Sequence, residues 1–372
     1  MEKFAIDLEN PKSLNQLSDN DFQLALLEGV SRTFALTIPQ LPPELFAPVA
    51  NAYLLCRIVD TIEDEVSLSA RQKEYFCTEF TTIVTTGENT ELFAIELAPL
   101  LSNQTIAAEH TLIHVLPRVI QITHTFAPEQ IAALSICVAT MAKGMPAYQS
   151  MELKKGLASL KDLDLYCYYV AGCVGEMLTE LFCFYSSDIA KHRNQMLALS
   201  VSFGQGLQMT NILKDIADDA QRGVCWLPQD IFTEVGFDLG SPEFDKNSAQ
   251  YRAGVKKLIA IAQGHLSNAL KYTQLLPKNE PGIRNFCLWA VGMAILTLRN
   301  VQKNTTSKAE TPIKISRDDV KKTIFITNLF NKNNTMLDLI FNLASLGLTS
   351  SKKSAQPMST QPNFTKFLHL KK

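Results

Sequence analysis

Apolar residues recur with a helical period from residue 14 to residue 330, and this pattern limits the fold more than any other feature. Period-two alternation never lasts more than a few residues, and no Gly- or Pro-rich linker divides the stretch. Only 16 of the 372 residues are Gly and 16 are Pro, which is low for the turn-rich β classes. Cap-type residues at 18–21 and 42–44 mark helix starts. The pattern predicts an all-α fold.

We predict one large helical domain over residues 14–332, followed by a C-terminal tail over residues 333–372. The tail begins with a short amphipathic segment, and we expect disorder in the Ser-, Lys-, Gln- and Pro-rich residues 349–363. Residues 364–372 alternate apolar and basic side chains. A solvated tail is the favoured interpretation of this segment, and contact with an anionic membrane surface is the alternative.

Charge and cysteine content exclude several classes of protein. The chain has 35 Lys and Arg against 37 Asp and Glu, so it lacks the basic surface of a nucleic-acid binder. Its eight cysteines have no Cys-x-x-Cys spacing, which favours small, buried, reduced residues. Neither a signal peptide nor an uninterrupted spanning run is visible. We therefore expect a cytoplasmic monomer that binds no nucleic acid, with peripheral contact at the inner face of a membrane as the alternative.

Three acids and two other polar side chains share one region of a predicted helix. Tyr53, Arg57, Asp60 and Asp64 are spaced four, three and four residues apart, and Glu63 lies beside them. The remaining positions of this helix are apolar, so the pattern predicts a largely buried helix with one polar stripe.

A second predicted helix repeats the arrangement. Gln208, Asn211, Asp215 and then Asp218 or Asp219 fall on one face, again among apolar neighbours. The three acids stand at i, i+3 and i+4, as they do in the first helix. Which of the last two aspartates would bind a metal is left open.

The repeated acidic spacing predicts a cation site. A solvated helix face is the ordinary interpretation of one such cluster, but buried unpaired carboxylates are costly and need a cation. Oxygen ligands without His or Cys favour Mg²⁺, which typically bridges to substrate phosphates. We therefore expect two facing acidic helices to hold Mg²⁺ around a diphosphate.

Four segments of the chain resemble the squalene/phytoene synthase family and follow its order. They are Ser-Arg-Thr-Phe at 31–34, Asp-Thr-Ile-Glu-Asp at 60–64, the Tyr-rich residues 166–172, and residues 211–219. The resemblance is greatest to bacterial squalene-forming members. It implies an isoprenoid-synthase fold with a central prenyl-binding cavity. It also implies an enzyme that joins two farnesyl diphosphates head to head into presqualene diphosphate and reduces this intermediate to squalene with NADPH.

The resemblance also implies a role for individual residues. The Mg²⁺ ligands would be Asp60, Glu63, Asp64, Asn211, Asp215, Asp218 and Asp219. The diphosphate would contact Ser31, Arg32, Thr33, Arg57, Gln208, Asn211, Lys214 and Arg222. NADPH would contact Arg32, Arg57, Lys214, Lys314 and Arg317. The catalytic residues would be Tyr166, Tyr53, Phe34 and Arg57, whose aromatic members can stabilise a carbocation.

Several alternatives stay open. The reaction can stop at presqualene diphosphate, or yield dehydrosqualene or phytoene without reduction. The chain can also be a non-catalytic helical isoprenoid-binding relative. Ala290 and Val291 replace the Pro-Gln of eukaryotic squalene-forming members, and no Gly-x-Gly-x-x-Gly motif follows a strand, so only the resemblance supports NADPH.

Two further patterns have competing interpretations. The small residues Ala171, Gly172 and Gly175 either leave room for a prenyl chain or allow tight helix packing. His110 and His114 have the spacing of a zinc-binding helix without its internal Glu. We interpret these two histidines as ordinary surface or core residues.

Overall fold

The computed structural model describes residue 14 and residues 16–31, 33–149, 153–241, 245–305 and 313–348. Within these residues the regular structure is helical, and the one β pairing is an isolated bridge between Leu157 and Pro228. The predicted all-α fold is confirmed.

Seventeen α-helices follow one another in this part of the chain. They are α1 (Asp19–Val30), α2 (Phe34–Thr37), α3 (Pro43–Asp64), α4 (Ala70–Thr86), α5 (Thr90–Leu97), α6 (Ala107–His114), α7 (Leu116–Thr123), α8 (Pro128–Gln149), α9 (Leu160–Cys167), α10 (Cys173–Tyr185), α11 (Ser187–Ala190), α12 (Arg193–Gln221), α13 (Gln229–Thr233), α14 (Ala249–Leu275), α15 (Pro281–Asn304), α16 (Arg317–Phe330) and α17 (Asn334–Ala344). A π-helical turn, Tyr168–Gly172, joins α9 to α10. Short 3₁₀ helices occupy Ile38–Gln40, Ala98–Leu100 and Leu153–Lys155.

The helix starts follow the chemistry of the sequence. Ser18 accepts a hydrogen bond from the Asp21 backbone N–H at 3.2 Å and so caps α1. Pro43 opens α3, where its missing N–H and fixed φ cost nothing. Ser159 caps α9 by accepting from the Asp162 N–H at 3.3 Å. Local hydrogen-bonding capacity therefore places these boundaries.

The chain divides into two compact units, each with a long helix at its centre. The first comprises residues 1–150 and 180–190, and the second comprises residues 151–179 and 191–372. In the first unit α3 packs against α1, α4, α6, α7 and α8. In the second unit α12 packs against α9, α14, α15 and the π turn. Each acidic cluster lies on one of these central helices.

Glycines let α12 approach the π turn and α10 closely. A Cβ on Gly204 would lie 2.1 Å from the Ala171 carbonyl oxygen, and one on Gly175 would lie 2.2 Å from the Ser200 carbonyl oxygen. Both are far inside van der Waals contact. At this contact the small residues therefore allow tight helix packing. They do not leave space for a prenyl chain.

Helix α17 lies beyond the predicted domain end at residue 332. Its Leu337 is buried against Leu270 of α14 and Leu288 of α15, with Phe330 and Phe341 packed alongside. The segment assigned to the start of a tail thus contributes to the core of the second unit. Residues 349–372, for which we expect disorder or membrane contact, lie outside the described residues.

Four helical stretches are, by length and composition alone, long and apolar enough to cross a membrane. They are Pro43–Asp64, Pro128–Tyr148, Leu160–Tyr185 and Pro281–Asn304. The share of their apolar windows that is buried inside the protein ranges from 50 % to 78 %. At least half of each window is therefore engaged in packing within the protein. The cysteines are all free, as expected, and six of the eight are buried.

Candidate functional site

The polar stripe on α3 is organised around Arg57. Its Nη2 donates to the Tyr53 hydroxyl at 2.9 Å, and its Nη1 lies 3.8 Å from an Asp60 oxygen. Tyr53, Arg57 and Asp60 are half-buried and Asp64 is exposed, whereas most of the helix is buried. The predicted stripe on a buried helix is therefore present.

Glu109, on α6, belongs to the same cluster. Its Oε1 lies 3.6 Å from Arg57 Nη1. No sequence pattern predicts this contact, because it joins two helices and the neighbouring His110 and His114 suggest only a zinc motif. His110 instead lies 3.1 Å from the Ser102 carbonyl oxygen through its Nε2.

Asp60 has a raised pKa, and it lies in a cluster where carboxylates outnumber cations. Burial raises the pKa of Asp60 to about 6; Arg57 opposes the shift, while Asp64 and Glu109 add to it. Burial likewise raises the pKa of Glu109, with Arg57 opposing. For Arg57, burial lowers the pKa, but Asp60, Tyr53 and Glu109 outweigh it and raise the pKa overall. A bound cation would relieve this repulsion between carboxylates.

Glu63 has different neighbours from Asp60. It is only 3 % exposed, and its backbone carbonyl accepts a hydrogen bond from Lys73 of α4. Burial raises the pKa of Cys77 to about 12, and the charge of Glu63 adds to that shift. Glu63 therefore lies among side chains of α4, and its role as a Mg²⁺ ligand stays a prediction.

The segment before α3 contributes an aromatic ring to the cluster. The Ser31 hydroxyl accepts from the Phe34 N–H at 3.0 Å, at the start of α2. The Phe34 and Tyr53 ring centroids lie 5.2 Å apart, with the rings tilted by 42°. Thr33 is half-buried, and Arg32 lies outside the described residues.

The second cluster lies near the C-terminal end of α12. Lys214 Nζ lies 3.1 Å from Asp215 Oδ2, and Arg222 donates to Asp219. Asp219 is buried and Asp218 is exposed. Burial raises the pKa of Asp219; Arg222 opposes this, and Asp215 and Asp218 add to it. Gln208, which is half-buried, and Asn211, which is exposed, lie on earlier turns of the same helix.

Tyr166 stacks on a residue that the sequence did not single out. Its ring is parallel to that of Trp226 within 11°, with centroids 3.9 Å apart. The Trp226 segment is held in place because the Leu157 N–H donates to the Leu227 carbonyl at 3.0 Å and the Gln229 N–H donates to the Leu157 carbonyl at 2.8 Å. Stacking between a helix and a distant loop leaves no local sequence signal.

Two further groups near Tyr166 have unusual surroundings. The π turn begins two residues after it, and π turns are frequent at functional sites. Burial raises the pKa of Asp164 to about 7, with Asp230 adding to the shift. One oxygen of Asp164 is buried without a hydrogen-bond partner. The local sequence does not predict these surroundings of Asp164.

Two of the predicted cofactor residues lie at the surface of the second unit. Lys314 and Arg317 are exposed, and Arg317 is the first residue of α16. The Lys314 carbonyl accepts from Asn300 of α15 at 3.1 Å, so this segment is attached to that helix. Residues 306–312, which precede it, lie outside the described residues.

The donor chemistry of both clusters fits Mg²⁺. Among the residues that the structure describes, no group of three or more His, Cys, Asp or Glu side chains is arranged to hold a metal ion. Mg²⁺ needs fewer protein ligands, because it keeps waters and binds through one or two carboxylates plus substrate phosphates. Asp60 and Asp219, whose pKa values are raised beside other carboxylates, supply such oxygens.

Comparisons with known proteins agree on one family. The family model described as Squalene/phytoene synthase matches residues 27–318. The squalene synthase ERG9 of Candida albicans is 31 % identical over 284 residues, which are 75 % of this chain and 61 % of the relative. The chain thus spans about three fifths of the length of this curated relative. That relative is fungal, whereas the sequence segments favoured bacterial members.

Two solved structures have the same fold. The complex of TcSQS with the ligand BPH1237 superposes with a TM-score of 0.72 at 22 % identity, covering 91 % of this chain and 94 % of the other. A dehydrosqualene synthase with a bound ligand gives a TM-score of 0.59 at 20 % identity, covering 87 % and 99 %. At these identities the two structures support the fold alone.

Proposed function

Because this chain belongs to the squalene/phytoene synthase family, we propose that it is a squalene synthase. It would join two farnesyl diphosphates into presqualene diphosphate and reduce that intermediate to squalene. The observation that carries the proposal is the pair of acidic clusters, each on the central helix of its unit and each with a cationic side chain beside it. This is the arrangement that Mg²⁺-assisted loss of diphosphate requires.

The cationic side chains of both clusters would bind the diphosphate. Arg57 is held by Tyr53 and faces two carboxylates, so its guanidinium is fixed before substrate arrives. Lys214 and Arg222 are more exposed; Lys214 contacts Asp215 and Arg222 contacts Asp219. Mg²⁺, when bound by these aspartates, would supply the remaining positive charge that stabilises the departing diphosphate. That the two clusters serve one reaction is part of the proposal.

Aromatic rings would stabilise the allylic cation left after diphosphate departs. The Phe34–Tyr53 pair lies beside Arg57, and the Tyr166–Trp226 pair lies in the second unit. Ring faces attract a cation without accepting a proton, and apolar helices keep water away from it. We propose that Tyr166 faces the carbocation or helps to remove the proton whose loss closes the cyclopropane of presqualene diphosphate.

Five cationic residues would bind NADPH for the reductive half of the reaction. Lys314 and Arg317 would contact the NADPH phosphate, together with Arg32, Arg57 and Lys214 as the resemblance implies. Ala290 and Val291 are buried and apolar, where eukaryotic squalene-forming members carry Pro-Gln. This substitution favours one second candidate, an enzyme that stops at presqualene diphosphate or forms dehydrosqualene.

We further propose that the protein acts as a cytoplasmic monomer.

Incubating the full chain with farnesyl diphosphate and Mg²⁺, with and without NADPH, tests the proposal. We expect squalene only when NADPH is present, with products identified by mass spectrometry. Presqualene diphosphate or dehydrosqualene in both reactions would support the second candidate. Omission of Mg²⁺ is the matched control and should abolish all products. Unchanged farnesyl diphosphate in every complete reaction would contradict both candidates.

A further inference from the structure

The hairpin formed by α16 and α17 exposes an unusual number of large apolar side chains. Thirteen such residues are exposed in the described part of the chain, and six of them lie in this hairpin or within two residues of its C-terminal end. We call these six the apolar hairpin face: Phe325 (69 % exposed), Ile326 (37 %), Leu329 (64 %), Leu339 (49 %), Leu343 (54 %) and Leu346 (67 %). Clustered exposure of this kind marks an interaction surface.

Both helices also bury a separate apolar or small face, so the exposure does not come from poor packing. In α16, Phe325 and Leu329 are one turn apart and exposed, while Thr327 is buried. In α17, Leu339 and Leu343 are exposed, while Leu337 is buried in the core cluster. The apolar hairpin face is therefore additional to the surface that attaches the hairpin.

Arg284 of α15 fixes the hairpin to the second unit. This side chain is fully buried and donates to the Asn331 carbonyl and, at 2.6 Å, to Asn334 Oδ1 in the turn between the helices. It also donates to the Thr273 and Leu276 carbonyls at 2.9 and 2.7 Å. With the turn held in this way, the hairpin cannot rotate to bury its outer leucines without breaking these bonds.

The charges around the apolar hairpin face identify its partner. Lys321, Lys322 and Lys332 are exposed on or beside α16, and the exposed acids of the hairpin are Asp318 on α16 and Asp338 on α17. Residues 349–372, which follow the hairpin directly, contain five lysines and no Asp or Glu. Apolar side chains bordered by lysine match an anionic lipid surface. A second copy of the chain fits less well, because pairing the two faces would bring like charges together.

We propose that the apolar hairpin face docks on a bilayer of anionic phospholipids. Its Phe, Ile and Leu side chains enter the boundary between headgroups and acyl chains, while the flanking lysines contact the headgroups. This goes beyond the proposed catalytic function, because docking involves no residue assigned to catalysis or to substrate. It also places membrane contact on α16 and α17, and not on residues 364–372 alone.

Sedimentation of the full chain with vesicles tests the proposal. We expect binding to vesicles of mixed phosphatidylcholine and phosphatidylglycerol, and much weaker binding to phosphatidylcholine alone or at high salt. Phe325→Asp combined with Leu343→Asp should lower the partition coefficient at least about tenfold. Each of Lys321→Gln and Lys322→Gln should lower it about fivefold.

A substitution on a different surface provides the matched control. Ile95 on α5 is 71 % exposed, so Ile95→Asp makes the same chemical change outside the hairpin and should leave binding unchanged. Circular dichroism of each variant checks that the helices are intact. A wild-type chain that fails to sediment, or a double variant that binds as the wild type does, would overturn the proposal. Sedimentation-velocity detection of a dimer that the double variant abolishes would assign the face to a second copy instead.

Discussion

Arg57 has partners that are close in sequence and one that is not. Tyr53 and Asp60 come from its own helix, one turn away on either side, whereas Glu109 comes from α6. The helical period predicts the first two contacts, but no period links residues on different helices. Glu109 matters because it adds a third carboxyl to a site where burial and Asp64 already raise the pKa of Asp60.

Glu109→Gln should shift the pH dependence of the reaction. In the proposed mechanism Asp60, with a pKa near 6, must be ionised to bind Mg²⁺, so kcat/KM should fall as the pH drops through that value. Removing the charge of Glu109 removes one cause of the raised pKa, so the acid limb should move to lower pH. A pH profile of kcat/KM measures the shift.

Glu129→Gln is the control for this shift, because Glu129 is exposed on the first turn of α8. Its profile should match that of the wild type. An acid limb that stays in place in Glu109→Gln, or moves to higher pH, would contradict the electrostatic role of Glu109.

At the scale of helices, the contact between α12 and the π turn depends on a single missing side chain. At Gly204 a Cβ would collide with backbone atoms of Ala171 and Gly172. At Gly172 it would meet only side-chain atoms, of Tyr168 and Val201, at 3.0 and 3.1 Å. Backbone cannot move aside without shifting a helix, whereas a side chain can adjust.

Gly204→Ala should therefore destabilise the protein, by about 2 kcal/mol or more, because overpacking outweighs the gain in helix propensity. Gly172→Ala makes the same chemical change at the milder contact and should cost less than about 1 kcal/mol. Urea unfolding followed by circular dichroism measures both. Equal stability of the two variants would show that the backbone clash at Gly204 is relieved without cost.

The sequence predicts the features of this architecture that depend on residues close together in the chain. Cap-type residues at 18–21 and 42–44 identified helix starts, and helical spacing identified both acidic clusters, because these depend on neighbours within one turn or two. Trp226 against Tyr166 and Glu109 against Arg57 could not be predicted in the same way. Those contacts depend on tertiary packing, as does the burial of Asp219 and Leu337.

For the whole molecule, the proposed mechanism uses the acidic clusters, with Mg²⁺, to bind a highly charged diphosphate on a nearly neutral chain. The net charge is only −2, yet α3 and α12 each concentrate carboxylates beside a cationic side chain. Each cluster belongs to a different unit. The central claim of the proposed mechanism is that both clusters are required for one reaction.

Turnover of farnesyl diphosphate by Asp60→Asn and by Asp215→Asn tests that claim most directly. Each change removes one carboxylate charge from one cluster at nearly constant side-chain size, so we expect each to lower kcat by about a hundredfold or more while the helical circular dichroism is unchanged. Asp245→Asn, at an exposed position outside both clusters, should turn over substrate as the wild type does. Wild-type turnover in either cluster variant would contradict the requirement for two clusters.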